Sequence, residues 1–288
     1  MSALAVGLII TAAFLHATWN LLIKRTGGGG AFLWLVCACS AVLYAPLALW
    51  IVARQQPVLG PIQVLFILGS AVLHLGYFTM LTRGYRLGDL SVVYPLARGT
   101  GPALSTAAAI AFFGERPTPL AIVGALLVVG GVFVLTSRPW AAARTTARAR
   151  WAVTYGLLTG GLIACYTLWD KRAVSTLLIP PLLFDWGSNF GRLAFLSPLA
   201  VRRWDDVRRH WREHRLEAIG VGALSPLAYI LVLTALVFTP VSYVAPAREV
   251  SIVIGTIMGT RLLAEGDGPR RLTAAAAIVL GVIALALG

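Results

Sequence analysis

The sequence predicts an all-α integral membrane protein whose ten transmembrane helices form two inverted five-helix repeats. The composition, the number of long apolar runs and a repeat between the two halves predict this class. Of the 288 residues, 58% are apolar and only 12% are charged, and the mean hydropathy is +0.82. Soluble domains have about 45–50% apolar and about 25% charged residues. The composition therefore excludes an ordinary soluble enzyme, a disordered chain and a disulfide scaffold.

Ten apolar runs each approach the roughly 20 residues that a spanning helix needs. The first is too long for the apolar core of a signal peptide and lacks a basic segment before it, so we expect it to remain as a span. The runs lie at residues 3–22, 31–53, 61–82, 90–114, 118–136, 151–169, 181–201, 218–237, 241–264 and 271–288.

The loops between these runs differ in their basic residues. Those after even-numbered spans hold only Arg54, Arg116, Lys171 and Arg172, whereas the stretch 202–215 alone holds six arginines. Because basic loops stay in the cytoplasm, this bias predicts that both termini lie outside the cell (inner) membrane. The net charge of +13 then reflects membrane orientation, and we expect no nucleic-acid partner.

The segments 89–136 and 240–288 resemble each other. The matched pairs are Ser91 with Ser242, Pro95 with Pro246, Arg98 with Arg248, Glu115 with Glu265 and Gly131 with Gly281. This repeat divides the chain into a first unit at 1–137, a basic connecting loop at 138–150 and a second unit at 151–288. An odd number of spans per unit inverts one unit relative to the other, as in secondary transporters that bind substrate near the midplane.

Two matched arginines, Arg98 and Arg248, fall inside predicted spans 4 and 9, each shortly after a proline (Pro95 and Pro246). Ionisable groups at membrane depth normally face a cavity or one another, and proline removes a backbone donor from the helix. A guanidinium at such a break suits a carboxylate or phosphate, which it can bind in a bidentate manner. Alternatively, the arginines lock the two halves together. Glu249 would then neutralise an arginine, or it could be a coupling carboxylate.

Further polar and aromatic side chains are candidates for a substrate cavity. Asp185, Asn189 and Arg192 share one face of span 7, where an Asp185–Arg192 pair is the structural alternative. Tyr166, Trp169 and Tyr229 could add aromatic walls, although some aromatic residues will be interface anchors. The other cavity candidates are His16, Trp19, Asn20, His74, Tyr77, Tyr94, Trp186 and Tyr243.

Several features are assigned ordinary roles. Glu115 and Glu265 stand at the ends of spans and are expected to cap helices. The pattern H-x-x-E-H at 210–214 resembles a zinc-protease motif, but it lies in a basic stretch that predicts an amphipathic interfacial segment. The cysteines lie in apolar runs and predict packing. We therefore expect no metal and no cofactor.

Four motifs, in order and repeated, resemble the EamA-like transporters of the drug/metabolite transporter superfamily. They are HATWNLLIKR (16–25), YPLARG (94–99) with FFGERPTP (112–119), YTLWDKRAV (166–174), and APAREVS (245–251) with LLAEGD (262–267). The resemblance implies a carrier that moves small polar metabolites such as amino acids, usually outward. Many such relatives keep both termini inside, opposite to the loop-charge prediction.

These observations predict a secondary active transporter and exporter of an amino acid or organic acid that works by alternating access. The expected partners are the lipid bilayer and a small-molecule substrate, with coupling to protons or exchange, in a monomer or homodimer. A flippase for a lipid-linked sugar or phospholipid is the alternative. A membrane-embedded enzyme and a non-transporting receptor are the rivals outside transport, and no convergent catalytic set supports the enzyme.

Overall fold

The computed structural model describes residues 1–26, 29–87, 90–136, 147–263 and 268–288. Within these ranges every regular element is an α-helix, which confirms the predicted fold class. Most of the predicted connecting loop, and Glu265, lie outside the described residues. The helices are α1 (Ala3–Thr26), α2 (Gly30–Gln55), α3 (Pro61–Leu87), α4 (Leu90–Phe113), α5 (Pro119–Thr136), α6 (Ala147–Ser175), α7 (Pro181–Arg202), α8 (Trp204–Phe238), α9 (Val241–Ala247), α10 (Val250–Leu263) and α11 (Gly268–Leu287).

Each predicted span has a counterpart among these helices. Five of them (α1, α2, α3, α6 and α8) are long and apolar enough to cross a membrane by length and composition, and α5 and α11 contain shorter apolar stretches. The ninth predicted span is divided into α9 and α10. The predicted interfacial segment forms the beginning of α8, and a kink at His214 (φ −134°, ψ 31°) separates it from the spanning part.

The helix contacts are related by an exchange of the two repeats. In the two units α1 is equivalent to α6, α3 to α8, and α4 to α9 with α10. The contact of α4 with α6 therefore corresponds to that of α10 with α1, and the contact of α1 with α8 corresponds to that of α6 with α3. Contacts between α2 and α8 correspond to those between α7 and α3, while the pairs α2–α7 and α5–α11 map onto themselves. The fold is therefore built from two equivalent five-span units, and much of its packing is between units.

Helices α5 and α11 approach closely at glycines. A Cβ added to Gly124 would lie 2.7 Å from the carbonyl oxygen of Gly281, and one added to Gly281 would lie 2.6 Å from that of Gly124. A Cβ on Gly131 would lie 2.9 Å from the carbonyl oxygen of Ala274. Because 124 and 131 correspond to 274 and 281 in the repeat, the two contacts are equivalent. This pair of helices forms a scaffold between the units.

The short helix α9 is held at its start by the first unit. The Glu115 carboxylate accepts hydrogen bonds from the backbone N–H groups of Val241 (2.7 Å) and Ser242 (2.8 Å). These N–H groups have no partner inside the helix, so the carboxylate supplies their hydrogen-bond acceptor. Its negative charge also interacts favourably with the positive end of the helix dipole. The predicted capping role of Glu115 is confirmed.

Candidate functional site

Three charged side chains meet where α4 crosses the division between α9 and α10. Nη2 of Arg98 lies 2.9 Å from Oε2 of Glu249, and Nε of Arg248 lies 3.5 Å from Oε1 of the same carboxylate. The Glu249 side chain is 1% exposed, against 11% for Arg98 and 12% for Arg248. We call these three residues the ion cluster. Two guanidinium groups share one carboxylate, so the cluster carries an excess positive charge.

The local backbone structure at the end of α9 determines where Arg248 and Glu249 lie. Helix α9 ends after Ala247, and the N–H of Glu249 bonds to the carbonyl of Pro246 at 3.0 Å in a tight turn. Proline cannot donate a backbone hydrogen bond, which favours a discontinuity here. Arg248 and Glu249 therefore lie between two helices. On the other side, close packing of α4 on α6 at Gly156 positions Arg98, because a Cβ there would lie 2.7 Å from Leu96.

A group of aromatic rings, which we call the aromatic group, extends from Arg248. Nη2 of Arg248 donates a hydrogen bond to the Tyr166 hydroxyl at 3.2 Å, and its guanidinium carbon lies 5.8 Å from the centroid of that ring. The His74 ring stacks on Tyr166 at 4.2 Å, and the Tyr77 ring meets Tyr166 edge-on at 5.8 Å. The ring of Tyr229 lies 5.3 Å from that of His74. These rings come from α3, α6 and α8, and hence from both units.

Beyond the rings lies a second acid, Asp170. Its side chain is fully buried, its Oδ2 accepts a hydrogen bond from the Tyr229 hydroxyl, and the same oxygen lies 3.9 Å from Nε2 of His74. Its Oδ1 has no hydrogen-bond partner among the described residues. The other ring nitrogen of His74, Nδ1, lies 2.9 Å from the carbonyl oxygen of Ser70. At 3.9 Å, Nε2 of His74 and Oδ2 of Asp170 are too far apart for a hydrogen bond, but they would form an ion pair if His74 were protonated.

The ion cluster and the His74 ring are not completely buried. Arg98 and Arg248 keep exposed surface, as does His74 with 14%, although helices of both units surround them. Nε of Arg98 and Nε of Arg248 have no hydrogen-bond partner among the described residues. Donors that are buried and unpaired are costly. A small anionic group could satisfy them.

The structure places the span-7 candidates in contacts between helices. Trp186 donates to the Ala41 carbonyl and Asn189 to the Cys37 carbonyl, each at 2.9 Å, so both attach α7 to α2. Asp185 lies 3.6 Å from Arg192, as in the structural alternative for this pair.

The remaining candidates are distributed over three helices. His16 and Trp19 pack edge to face at 4.7 Å on α1, and the exposed Asn20 donates to the His16 carbonyl at 2.7 Å. Tyr94 lies one turn before Arg98 on the same face of α4. The Tyr243 hydroxyl accepts a hydrogen bond from the Thr118 N–H at 3.2 Å, near the start of α5. Tyr94 is thus beside the ion cluster, while Tyr243 contacts the scaffold.

Asp170 is the one group of this region that the sequence analysis did not select. Predicted span 6 ended at residue 169, whereas α6 continues to Ser175. The predicted span therefore excludes Asp170, and the loop-charge pattern places Lys171 in a loop; in the structure Nζ of Lys171 donates to the carbonyl oxygens of Leu236 (2.6 Å) and Thr239 (3.1 Å). The available signal was the position of Asp170 directly after Trp169, at the end of an apolar run, where one further residue of helix places the acid in the span.

Comparisons with known proteins agree with this architecture. A sequence model of the EamA-like transporter family matches residues 3–137 and 150–287. A solved structure described only as "Crystal structure of protein" superposes with a TM-score of 0.77 at 18% identity, and the alignment covers 100% of this chain and 98% of that chain. That likeness shows a shared fold. No curated protein matches the sequence.

Proposed function

Since the chain belongs to the EamA-like transporter family, we propose that it is a secondary active transporter that exports a small polar metabolite bearing a carboxylate, such as an amino or organic acid. The observation that carries this proposal is the excess positive charge of the ion cluster, where Arg98 and Arg248 share Glu249. The substrate would bind at Arg248, whose guanidinium faces the aromatic group, and alternating access would expose that site to each side in turn.

The charge balance supports a carboxylate substrate. A buried ion is costly unless it is paired and hydrogen-bonded. Arg98 makes the closer contact with Glu249, at 2.9 Å against 3.5 Å for Arg248, so Arg248 is the less completely paired of the two. A carboxylate can accept two parallel hydrogen bonds from one guanidinium, and the Tyr166 ring would form one side of the site.

The role that we propose for Arg98 differs from that of Arg248. Arg98 comes from the first unit and Glu249 from the second, so their ion pair joins the units. Breaking and remaking this pair would accompany the change between outward-facing and inward-facing states. Glu249 then acts mainly as a partner of arginine.

The second acid supports a proposal about energy coupling. Tyr166 contacts both Arg248 and His74, and His74 approaches Asp170, so a substrate at Arg248 would be separated from the acid by two rings. We propose that the His74–Asp170 pair binds the coupled proton. Embedded acids and histidines form proton relays in other pumps and transporters.

The location and orientation that we propose rest on loop charge. The arginine-rich beginning of α8 would lie on the cytoplasmic side of the inner membrane, which places both termini outside. Single cysteines near each terminus, tested with a membrane-impermeant thiol reagent on intact cells, would check this. Labelling only after lysis would reverse the assignment.

The first experiment is a thermal-unfolding panel on the purified protein with carboxylates, zwitterionic amino acids, amines and phosphates. A ligand at 100 times its Kd should add roughly 2.7 kcal/mol of stability. We expect stabilisation by carboxylates in the wild type and in Arg192→Gln, which removes an arginine of similar burial outside the ion cluster. We expect none in Arg248→Gln.

The same panel separates the alternatives. Stabilisation by amines alone would contradict a carboxylate substrate, and stabilisation by phosphate compounds alone would favour the flippase. A stabilising carboxylate would then be loaded into liposomes containing the protein. A pH gradient should drive its movement in the wild type, whereas Asp170→Asn should retain exchange of the same compound without response to the gradient. Gradient-driven movement in Asp170→Asn would contradict the coupling role.

A further inference from the structure

A pocket lies on the side of the bundle between α2 and the beginning of α8. Its volume is about 580 Å³, and no residue of the ion cluster lines it. Most of its wall is apolar, with tryptophans from both helices. The side chains that shape it include Trp34, Val42, Leu43, Trp204, Trp211 and Ile219. Pockets that bind small ligands commonly have volumes of about 300–1,000 Å³, so this one can hold a headgroup and part of an acyl chain.

Two arginines, Arg208 and Arg212, are the charged residues of the pocket wall. They are one helical turn apart and therefore project from the same face of α8. Among the described residues neither forms an ion pair, whereas Arg209 between them lies 2.8 Å from a carboxylate oxygen of Asp206. The two unpaired cations thus stand beside an apolar cavity.

The pocket spans the change from the charged beginning of α8 to its apolar part. The kink at His214 divides α8 into a charged segment and a spanning segment, and the pocket is lined from both, by Arg208 on one and Ile219 on the other. Tryptophan is enriched at the boundary between headgroups and hydrocarbon, and amphipathic helices lie along that boundary. Trp34 and Trp204 meet there edge to face at 5.8 Å.

We propose that this pocket binds an anionic phospholipid, whose phosphate contacts Arg208 and Arg212 and whose acyl chain occupies the apolar part. The charge of the two arginines complements the headgroup, and the apolar wall complements the chain. An anionic lipid such as phosphatidylglycerol would neutralise one of the two positive charges, whereas a zwitterionic lipid has no net charge and would neutralise neither. The site is separate from the proposed substrate site and does not depend on the transported compound.

The test compares retention of phosphatidylglycerol and phosphatidylcholine by the purified protein, using native mass spectrometry after reconstitution in mixed micelles. The variant Arg208→Gln/Arg212→Gln removes both cations. Its control, Arg203→Gln/Arg215→Gln, removes the same charge from exposed positions outside the pocket wall. At about 1 kcal/mol per basic residue, loss of both should weaken phosphatidylglycerol binding about 30-fold. The control should bind as the wild type does.

A second variant fills the pocket and leaves its charge intact. Ala38→Phe places a ring in the cavity, and we expect it to lose bound phosphatidylglycerol while it unfolds at the wild-type temperature. Soluble glycerol phosphate should not compete. The proposal is overturned if both lipids are retained equally, if the two charge variants behave alike, or if glycerol phosphate binds as tightly as the lipid. It is also overturned if Ala38→Phe dissociates a dimer, since a second copy would then occupy the pocket.

Discussion

Two sets of equivalent helices can be compared between the units, α5 with α11, and α4 with α9 and α10. The first set keeps the symmetry of the repeat more closely than the second. In the pair α5 and α11, Gly124 meets Gly281 as Gly131 meets Ala274, so each contact has its counterpart. In the fourth position the first unit has the continuous helix α4, whereas the second has α9 and α10 with Arg248 and Glu249 between them. The scaffold is symmetric and the site is not.

The two units also differ in sequence at the position after the matched arginine. Arg98 is followed by Gly99, whereas its equivalent Arg248 is followed by Glu249. A Cβ on Gly99 would lie 2.4 Å from the ring of Phe133, so an acid at this position in the first unit would require that ring to move. A single carboxylate therefore lies beside two equivalent arginines, and it contacts them at unequal distances, 2.9 Å for Arg98 and 3.5 Å for Arg248.

The largest expected effect comes from removing this carboxylate. Glu249→Gln leaves two buried guanidinium groups without an anion, and breaking a buried ion pair in this way costs about 3–5 kcal/mol. We expect that loss in the free energy of unfolding, measured by denaturation in detergent. Adding Arg98→Gln should recover part of it, because only one cation then remains. Strictly additive losses in the double variant would contradict the pairing.

The symmetric scaffold should respond to a smaller change. Gly124→Ala brings a methyl group within 2.7 Å of the Gly281 carbonyl oxygen, whereas Gly130→Ala on the same helix meets nothing within 4 Å. Overpacking should cost the first variant about 1–3 kcal/mol of stability, and the second should change by less than about 1 kcal/mol. Thermal unfolding of the two variants side by side measures the difference. Equal unfolding temperatures would show that α5 and α11 do not pack this closely.

The smallest expected effect concerns the carboxylate that begins the divided span. Glu115→Gln keeps one oxygen acceptor and loses the charge, so the cap on the N–H groups of Val241 and Ser242 should weaken by about 1 kcal/mol. Hydrogen exchange at those two amides should quicken about fivefold, whereas Arg116→Gln beside it should leave them unchanged. Unaltered exchange in Glu115→Gln would mean that the cap does not stabilise α9.

Much of the fold follows from the sequence, because spanning helices need long apolar runs. The runs 31–53 and 181–201 agree with α2 and α7 to within two residues at each end. The prediction was less accurate where a helix continues with charged residues, as α6 does through Lys171 to Ser175. Hydropathy ends a span at the first charges, whereas a helix continues for as long as its carbonyl groups find donors.

Less of the site follows from the sequence. The repeat predicts that Arg98 and Arg248 are equivalent, and the sequence offers the adjacent Glu249 either as a partner of an arginine or as a coupling carboxylate; in the structure it lies 2.9 Å from Arg98. The sequence could not show which arginine would take the closer contact, because that depends on the orientation of the helices at the break. Asn189 is also a polar residue inside a predicted span, yet it bonds to a backbone carbonyl of α2. Only packing distinguishes such a residue from one that lines a cavity.

The packing between units has a consequence for biosynthesis. Helix α1 ends at residue 26, and its partner α8 begins at residue 204. At about 5–20 residues per second, α8 is translated roughly 10–35 s after α1. During this interval the contact face of α1 can meet lipid, the insertion machinery, another nascent chain or the earlier helices of its own chain. The same applies to α5, because the glycines on its contact face pack on α11, which is translated much later.

A chain that is truncated within the second unit should therefore insert but be degraded. Supplying the complete second unit as a separate polypeptide should rescue it.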